Sequence, residues 1–247
     1  MIRAEQAGEL RVIWLDRQQK RNALNLGMVE AVRDLLRQAA EDSSARGVIL
    51  AGAGPSFSTG VDLNEFAEGT PESVHRLITA LAEACDAALT CPKPVAAAIR
   101  GYCLGGALEL ACACDFRVAS LDARLGMPEV TLGIPSVIHA ALIQRHVGLG
   151  RAQELVLTGD LIDAERALAW GLVNSLARPE ELVDACRELV GRVTRHDAAA
   201  IARQKRVSAE WLDLPLTQAV SRSRAQLVES FSTGIPQGIA RRRLEKR

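Results

Sequence analysis

Apolar residues recur along this 247-residue chain at two different periods. Four short runs are apolar at nearly every position: Leu10 to Leu15, Val48 to Ala51, Val95 to Ile99 and Phe116 to Ala119. Such runs predict strands buried on both faces. Between them the period lengthens. Met28 to Asp42 sets Met28, Val29, Val32, Leu35, Leu36 and Ala39 at helical spacing, and Pro71 to Leu89 and Ala107 to Ala113 read the same way. The alternation predicts an α/β fold with its strands covered on both sides. From Ser136 onward nearly everything reads as helix, broken at Gly148, Gly150, Gly159 and Gly171, with Val173 to Leu176 as the one strand. Leu214 to Lys246 reads as one or two helices interrupted at Gly234-Ile235-Pro236. The expected organisation is an α/β core over residues 1–190 and a helical C-terminal region over residues 191–247, without linker, low-complexity tract or repeat.

Composition narrows the classes of partner. With 30 basic and 30 acidic residues the net charge is zero, so overall charge points to no nucleic acid and no membrane surface. The one local excess is the tail, Arg241, Arg242, Arg243, Lys246 and Arg247, read either as a solvated helix end or as a phosphate or partner contact. The opening MIRAEQAGEL has no apolar core of a signal peptide, and no run reaches the roughly 18 apolar residues a membrane span needs. A cytoplasmic protein is therefore expected. The six cysteines form no paired C-x-x-C sets and read as small buried hydrophobes in a reducing compartment. The four scattered histidines show no ligand spacing, so no metal site is expected.

Several common motifs are absent. Gly52-x-Gly54 lacks the third glycine of a dinucleotide fingerprint, no G-x-x-x-x-G-K-[ST] occurs, and Gly54-Pro55-Ser56-Phe57-Ser58 is not a nucleophile elbow. Two glycine turns remain, each after an apolar run and before a helical one: Phe57 to Leu63 (FSTGVDL) and Gly101 to Glu109 (GYCLGGALE). Glycine lets backbone N–H groups face a ligand, and a helix N-terminus adds partial positive charge, so two such turns could form an oxyanion hole. Glu109 sits in an otherwise apolar helical run, where a lone acid is costly unless paired or used. Glu129 lies in a loop-like stretch, Met127-Pro128-Glu129-Val130. Either acid taken alone could equally be an ordinary surface or ion-paired carboxylate.

Taken in order, these segments resemble the crotonase (enoyl-CoA hydratase/isomerase) family. FSTGVDL resembles its first oxyanion-hole motif, GYCLGGALELACACD (Gly101 to Asp115) its second, and MPEVTLGIP (Met127 to Pro135) the segment with a second catalytic glutamate. The acids stand 20 residues apart, as in two-glutamate hydratases. KRNALN (Lys20 to Asn25), Gly148 to Gly150, LTGD (Leu157 to Asp160) and ALAWGLV (Ala167 to Val173) match further landmarks, so the resemblance covers essentially the whole chain. It implies a spiral of ββα units with a helical C-terminal part that mediates homotrimers, usually paired into homohexamers. It implies that the Thr59 and Gly106 N–H groups hold a thioester carbonyl oxygen. It implies that Arg21 to Ala23 and Gly60, Val61, Asp62 and Leu63 line a coenzyme A channel. Glu109 and Glu129 would share the water added across the α,β double bond of a 2-enoyl-CoA. Coenzyme A would be part of the substrate, with no separate cofactor.

The chain departs from the family after Ile134-Pro135. Ser136-Val137-Ile138-His139-Ala140-Ala141 replaces a glycine-rich stretch, and these bulkier side chains could narrow the acyl pocket or change how the water is held. His139 could reach the site, or be a helix-packed or surface histidine. The terminal helix also ends without the aromatic residue often found just beyond it. Three readings follow: a 2-enoyl-CoA hydratase; a double-bond isomerase or other crotonase-type reaction, for which one glutamate can suffice; and a catalytically silent coenzyme A-binding or scaffold member of the fold.

Overall fold

The runs that are apolar at nearly every position form the middle of a six-stranded sheet in the computed structural model, which describes residues 1–245. In chain order the elements are β1 (Ile2–Ala7), β2 (Leu10–Leu15), α1 (Leu26–Glu41), β3 (Gly47–Gly52), α2 (Leu63–Ala67), α3 (Pro71–Thr90), β4 (Val95–Ile99), β5 (Tyr102–Leu104), α4 (Gly106–Ala113), β6 (Phe116–Ser120) and β7 (Arg124–Gly126). There follow α5 (Ala141–Val147), α6 (Leu149–Thr158), β8 (Leu161–Asp163), α7 (Ala164–Trp170), β9 (Ser175–Ala177), α8 (Leu182–Thr194), α9 (Ala198–Asp213), α10 (Leu216–Phe231) and α11 (Ile235–Leu244). The sheet order is β1-β2-β3-β4-β6-β9. Only the β1–β2 hairpin is antiparallel; the other pairings are parallel.

Strand alternation divides this sheet between two cores. Ile13, Leu15, Val48, Leu50, Val95, Ala97 and Ile99 face one way, toward the apolar stripe of α1 (Met28, Val29, Val32, Leu36) and Leu77, Leu81 and Ala84 of α3. Val12, Ile49, Ala51, Ala96, Ala98 and Val118 face the other way, onto Leu182, Cys186 and Val190 of α8. The strands therefore need apolar residues at nearly every position, which is why they read as almost continuous runs. Because α8 closes the second core, it belongs with the first of two compact units, Met1–Arg195; the second begins at His196.

A second layer explains the repeat. After each long strand the chain makes a short extended step before its helix, and the steps pair in parallel: Leu24 with Val61, Ser58 with Cys103, and β5 with β7. Backbone bonds join them, including Leu24 N–H to Gly60 O (2.8 Å), Ser58 N–H to Tyr102 O (2.9 Å) and Leu104 N–H to Ser58 O (3.1 Å). Strand, short strand and helix thus recur as a ββα spiral, the fold expected from the resemblance.

Some elements differ from the pattern reading. β1 is an exposed, polar edge strand, and β5, β7 and β8 have three residues each, too short for any period to show. Gly150 does not break a helix but lies inside α6, whereas Gly159 and Gly171 end helices with positive φ. Glu129 lies on a single 3-10 turn, Pro128–Leu132.

In the second unit Trp211 of α9 donates its indole N–H to Ser223 Oγ of α10 at 2.9 Å. Gly234, at φ +72°, separates α10 from α11. Leu216, Val220, Leu227, Val228 and Phe231 of α10 are exposed. Lys246 and Arg247 of the basic tail lie outside the described residues. Among the described residues no helix is long and apolar enough to cross a membrane.

Candidate active site

Three second-layer segments end side by side, at Thr59-Gly60, Gly105-Gly106 and Met127 to Glu129. Gly105 N–H donates to Gly126 O at 2.9 Å, fixing the second against the third. Gly105 has φ +53° and ψ −130°, a backbone open only to glycine, and a Cβ there would stand 2.3 Å from Glu129 Oε1. Gly60 is constrained likewise: at φ +87°, its Cβ would meet Leu104 O at 2.7 Å. The two turns therefore approach each other through glycine, and the Glu129 carboxyl rests on one of them.

Gly106 opens α4. Its N–H is one of the donors that the first turn of a helix leaves without an intrahelical acceptor, at the positive end of the helix dipole. Every residue of α4 is buried, including Glu109 at 1% exposure. Arg117, itself buried, donates to the carbonyls of Cys114 (2.8 Å) and Leu172 (2.7 Å), and its positive charge suits the C-terminal end of this helix. His146 packs beside it, Nε2 within 3.1 Å of Cys112 O and Nδ1 within 3.5 Å of an Arg117 nitrogen. Burial, then the Arg117 charge, lower the His146 pKa to about 4.

The two acids have different surroundings. Glu109 Oε2 accepts the backbone N–H of His139. Burial raises the Glu109 pKa to about 7 despite that bond, with the Glu129 charge a smaller contribution in the same direction. Glu129 is half-buried, and its Oε2 accepts the hydroxyl of Ser136 at 3.1 Å. Burial also raises its pKa, opposed by hydrogen bonds, among them that of Ser136.

Both carboxyl groups line one cavity of about 570 Å³, together with Thr59, Gly60, Val61, Gly105, Gly106 and the 134–138 segment. Ala23, Asp62 and Leu63 line it too, as does Lys20. Two of the expected channel residues are otherwise occupied. The Arg21 side chain lies over the Tyr102 ring, 5.5 Å from its centroid, outside the cavity lining. The Asp62 carboxylate caps α2 through Asn64 N–H (3.0 Å) and pairs with Arg17 (2.5 Å). Thr59 N–H donates to Arg21 O at 3.2 Å, a long bond, so it would have to be shared or exchanged to hold a substrate oxygen. Among the described residues no cluster of potential metal ligands occurs.

Sequence reasoning missed the partners of the two acids. His139 does reach the site, but with its backbone; its ring turns away, Nε2 lying 3.0 Å from Asp86 Oδ1 of α3. Ser136 drew attention only for its bulk. No local signal ties position 136 to 129 or 139 to 86, because the contacts depend on how the loop folds back.

A ββα spiral that sets paired carboxyl groups beside a helix N-terminus is the architecture of the crotonase class. The chain belongs to that family: the family model described as enoyl-CoA hydratase/isomerase matches residues 5–247. It is similar to a crotonyl-CoA hydratase of Syntrophomonas wolfei, 33% identical over 88% of this chain and 84% of that protein. It is also 33% identical to a short-chain-enoyl-CoA hydratase of Clostridium acetobutylicum, over 93% of this chain and 88% of the other. Among solved structures, the enoyl-CoA hydratase from Bacillus anthracis superposes with a TM-score of 0.88 at 31% identity, covering 92% of this chain and 89% of that one.

Proposed function

We propose that this protein is an enoyl-CoA hydratase, adding water across the α,β double bond of a 2-enoyl-CoA thioester. The observation that carries the reading is that two carboxyl groups with unequal surroundings share one cavity with the Gly106 N–H. Hydratases among its relatives at about a third identity support it.

In the proposed reaction the thioester carbonyl oxygen takes the Gly106 N–H and, by sharing it with Arg21 O, the Thr59 N–H. These donors stabilise the enolate charge that forms as the β-carbon is attacked. Glu129, with the Ser136 hydroxyl on its carboxylate, accepts a proton from water as the new C–O bond forms. Glu109, whose pKa of about 7 leaves much of it protonated near neutrality, gives its proton to the α-carbon. One proton is taken from water and one delivered to carbon. The pair returns to its starting state when the proton on Glu129 is passed back to Glu109, directly or through solvent. Coenzyme A enters as part of the substrate, with Lys20, Ala23 and Gly60 to Leu63 beside it, and no separate cofactor is called on. The reading extends to a homotrimer or homohexamer built through the helical region, supported by the exposed apolar residues of α10. It extends also to a cytoplasmic location, which six buried cysteines suit.

The test is turnover of a panel of enoyl-CoA esters, crotonyl-CoA first, followed by loss of the conjugated thioester absorbance. Glu109→Gln and Glu129→Gln should each lower kcat by about 100-fold or more, the double variant adding little. One abolishing and one mild substitution would favour the isomerase. A folded protein inert toward the whole panel would favour silent binding.

A further inference from the structure

Ile138 bears on both Glu109 and Gly106. Its backbone N–H and that of His139 are both directed to the Glu109 carboxylate. Its side chain reaches back over Gly106: a Cβ built there would meet Leu81 Cδ2 at 2.6 Å, Val61 Cγ2 at 3.7 Å and Ile138 Cδ1 at 3.8 Å. Three apolar side chains, from α3, the turn before α2 and the loop before α5, therefore close around the residue whose N–H takes the thioester oxygen in the proposed reaction. Gly106 and Glu109 stand three residues apart on α4, about 4.5 Å along its axis. The carbonyl carbon, α-carbon and β-carbon of a bound acyl group occupy that step. Whatever follows the β-carbon has to find room beyond Glu109.

That end of the site is walled. Ile138 lines the cavity, is half-buried and packs on the main core. In the same core Leu81 and Cys85 of α3 and Leu108 and Cys112 of α4 are at 2% exposure or less, and the two helices are in contact. Ile78, three residues before Leu81 on α3, lines the cavity as well. We propose that Ile138 is the chain-length-determining residue: its side chain stands where a longer acyl chain would run, so the site takes short, unbranched 2-enoyl-CoA esters of about four to six carbons. This rests on the hydratase reading above and names its substrate class. Isoleucine suits the task because it is branched at Cβ and stiff at χ1, while its own backbone is held at Glu109. Rejection then comes from exclusion. One methylene that cannot be seated is worth roughly 10- to 200-fold in kcat/KM.

The experiment is kcat/KM for crotonyl-, 2-hexenoyl-, 2-octenoyl- and 2-decenoyl-CoA in the unmodified protein, Ile138→Val and Ile138→Ala, with thermal melting to verify folding. The unmodified protein should favour crotonyl-CoA over 2-octenoyl-CoA by about 100-fold or more. Ile138→Ala, which takes three carbons out of the wall, should raise the octenoyl-to-crotonyl ratio about tenfold or more, with Ile138→Val between. A merely structural role would lower all esters alike and leave that ratio in place. If the alanine variant does not fold, the valine variant, one carbon smaller than isoleucine, carries the test. A ratio unmoved in a folded variant overturns the proposal, as does equal use of octenoyl-CoA by the unmodified protein, and either result leaves the hydratase reading intact. Should the unmodified protein turn over no ester, the hydratase reading falls. The same ratio, taken from the Kd of saturated butyryl-CoA and octanoyl-CoA by calorimetry, then decides the chain-length proposal: a preference for butyryl-CoA that Ile138→Ala relaxes supports it, and no preference overturns it.

Discussion

Replacing Glu109 by glutamine should make the protein more stable at alkaline pH while removing most of its activity. Glu109 is almost fully buried, and its pKa rises from 4.5 to about 7 on folding. A carboxyl group with a raised native pKa is neutral at no cost below about pH 4.5. It becomes a liability as pH rises toward 7, because the unfolded chain ionises first. Two and a half units at about 1.4 kcal/mol each give about 3 kcal/mol, fully developed above pH 7. At pH 5 the difference is under about 1 kcal/mol. Glutamine keeps the shape and an oxygen for the His139 N–H, and carries no charge to bury. Urea unfolding of both proteins at pH 5 and pH 8.5 checks this. The variant should gain about 3 kcal/mol at pH 8.5 and under about 1 kcal/mol at pH 5. Equal stability at pH 8.5 would refute the argument that burial governs this carboxyl group. A gain there with loss of turnover would be the usual trade of stability for a strained, useful group.

Three further outcomes are expected. Thr59→Ala should keep most of the activity because only the backbone is used, whereas Thr59→Pro removes that donor and should lower kcat about 100-fold, measured on crotonyl-CoA; equal severe losses would implicate the side chain. Gly105→Ala should lose turnover by a similar factor while remaining folded by circular dichroism, since its new methyl group would strike the Glu129 carboxyl and φ at +53° strains any other residue. His146, held neutral with its pKa lowered to about 4 from 6.5, contributes stability above pH 6.5 that is lost as pH falls toward 4, about 3 kcal/mol in all; His146→Gln should flatten that part of the stability profile, and an unchanged slope would contradict it.

What the sequence disclosed follows from how each feature is encoded. β2, β3, β4 and β6 were legible because sheet faces covered by α1, α3 and α8 demand apolar residues at nearly every position. Glu109 was legible as a lone acid in the apolar run of α4. β5, β7 and β8 were not, because three residues cannot display a period and their pairing is set by the spiral. The Glu129–Ser136 bond was hidden because it depends on the turn closed at Gly133, and the His139–Asp86 pair because 53 residues separate its members. Family motifs pointed to the two turns, at Thr59 and at Gly106, that line the cavity. They said nothing of Arg21 O at Thr59 N–H or of the Tyr102 ring under Arg21, which are matters of three-dimensional placement.

The segment from Gly133 to Ala140 contains no regular helix or strand, and Gly133, Pro135 and Val137 are exposed. Yet it supplies partners for both carboxyl groups, while in the proposed reaction the donors for the carbonyl oxygen come from the spiral. Heritable change is therefore partitioned in this molecule. Substitutions in the loop would change the surroundings of both acids without disturbing a single sheet pairing. Substitutions in the spiral put the scaffold at risk before they alter the chemistry.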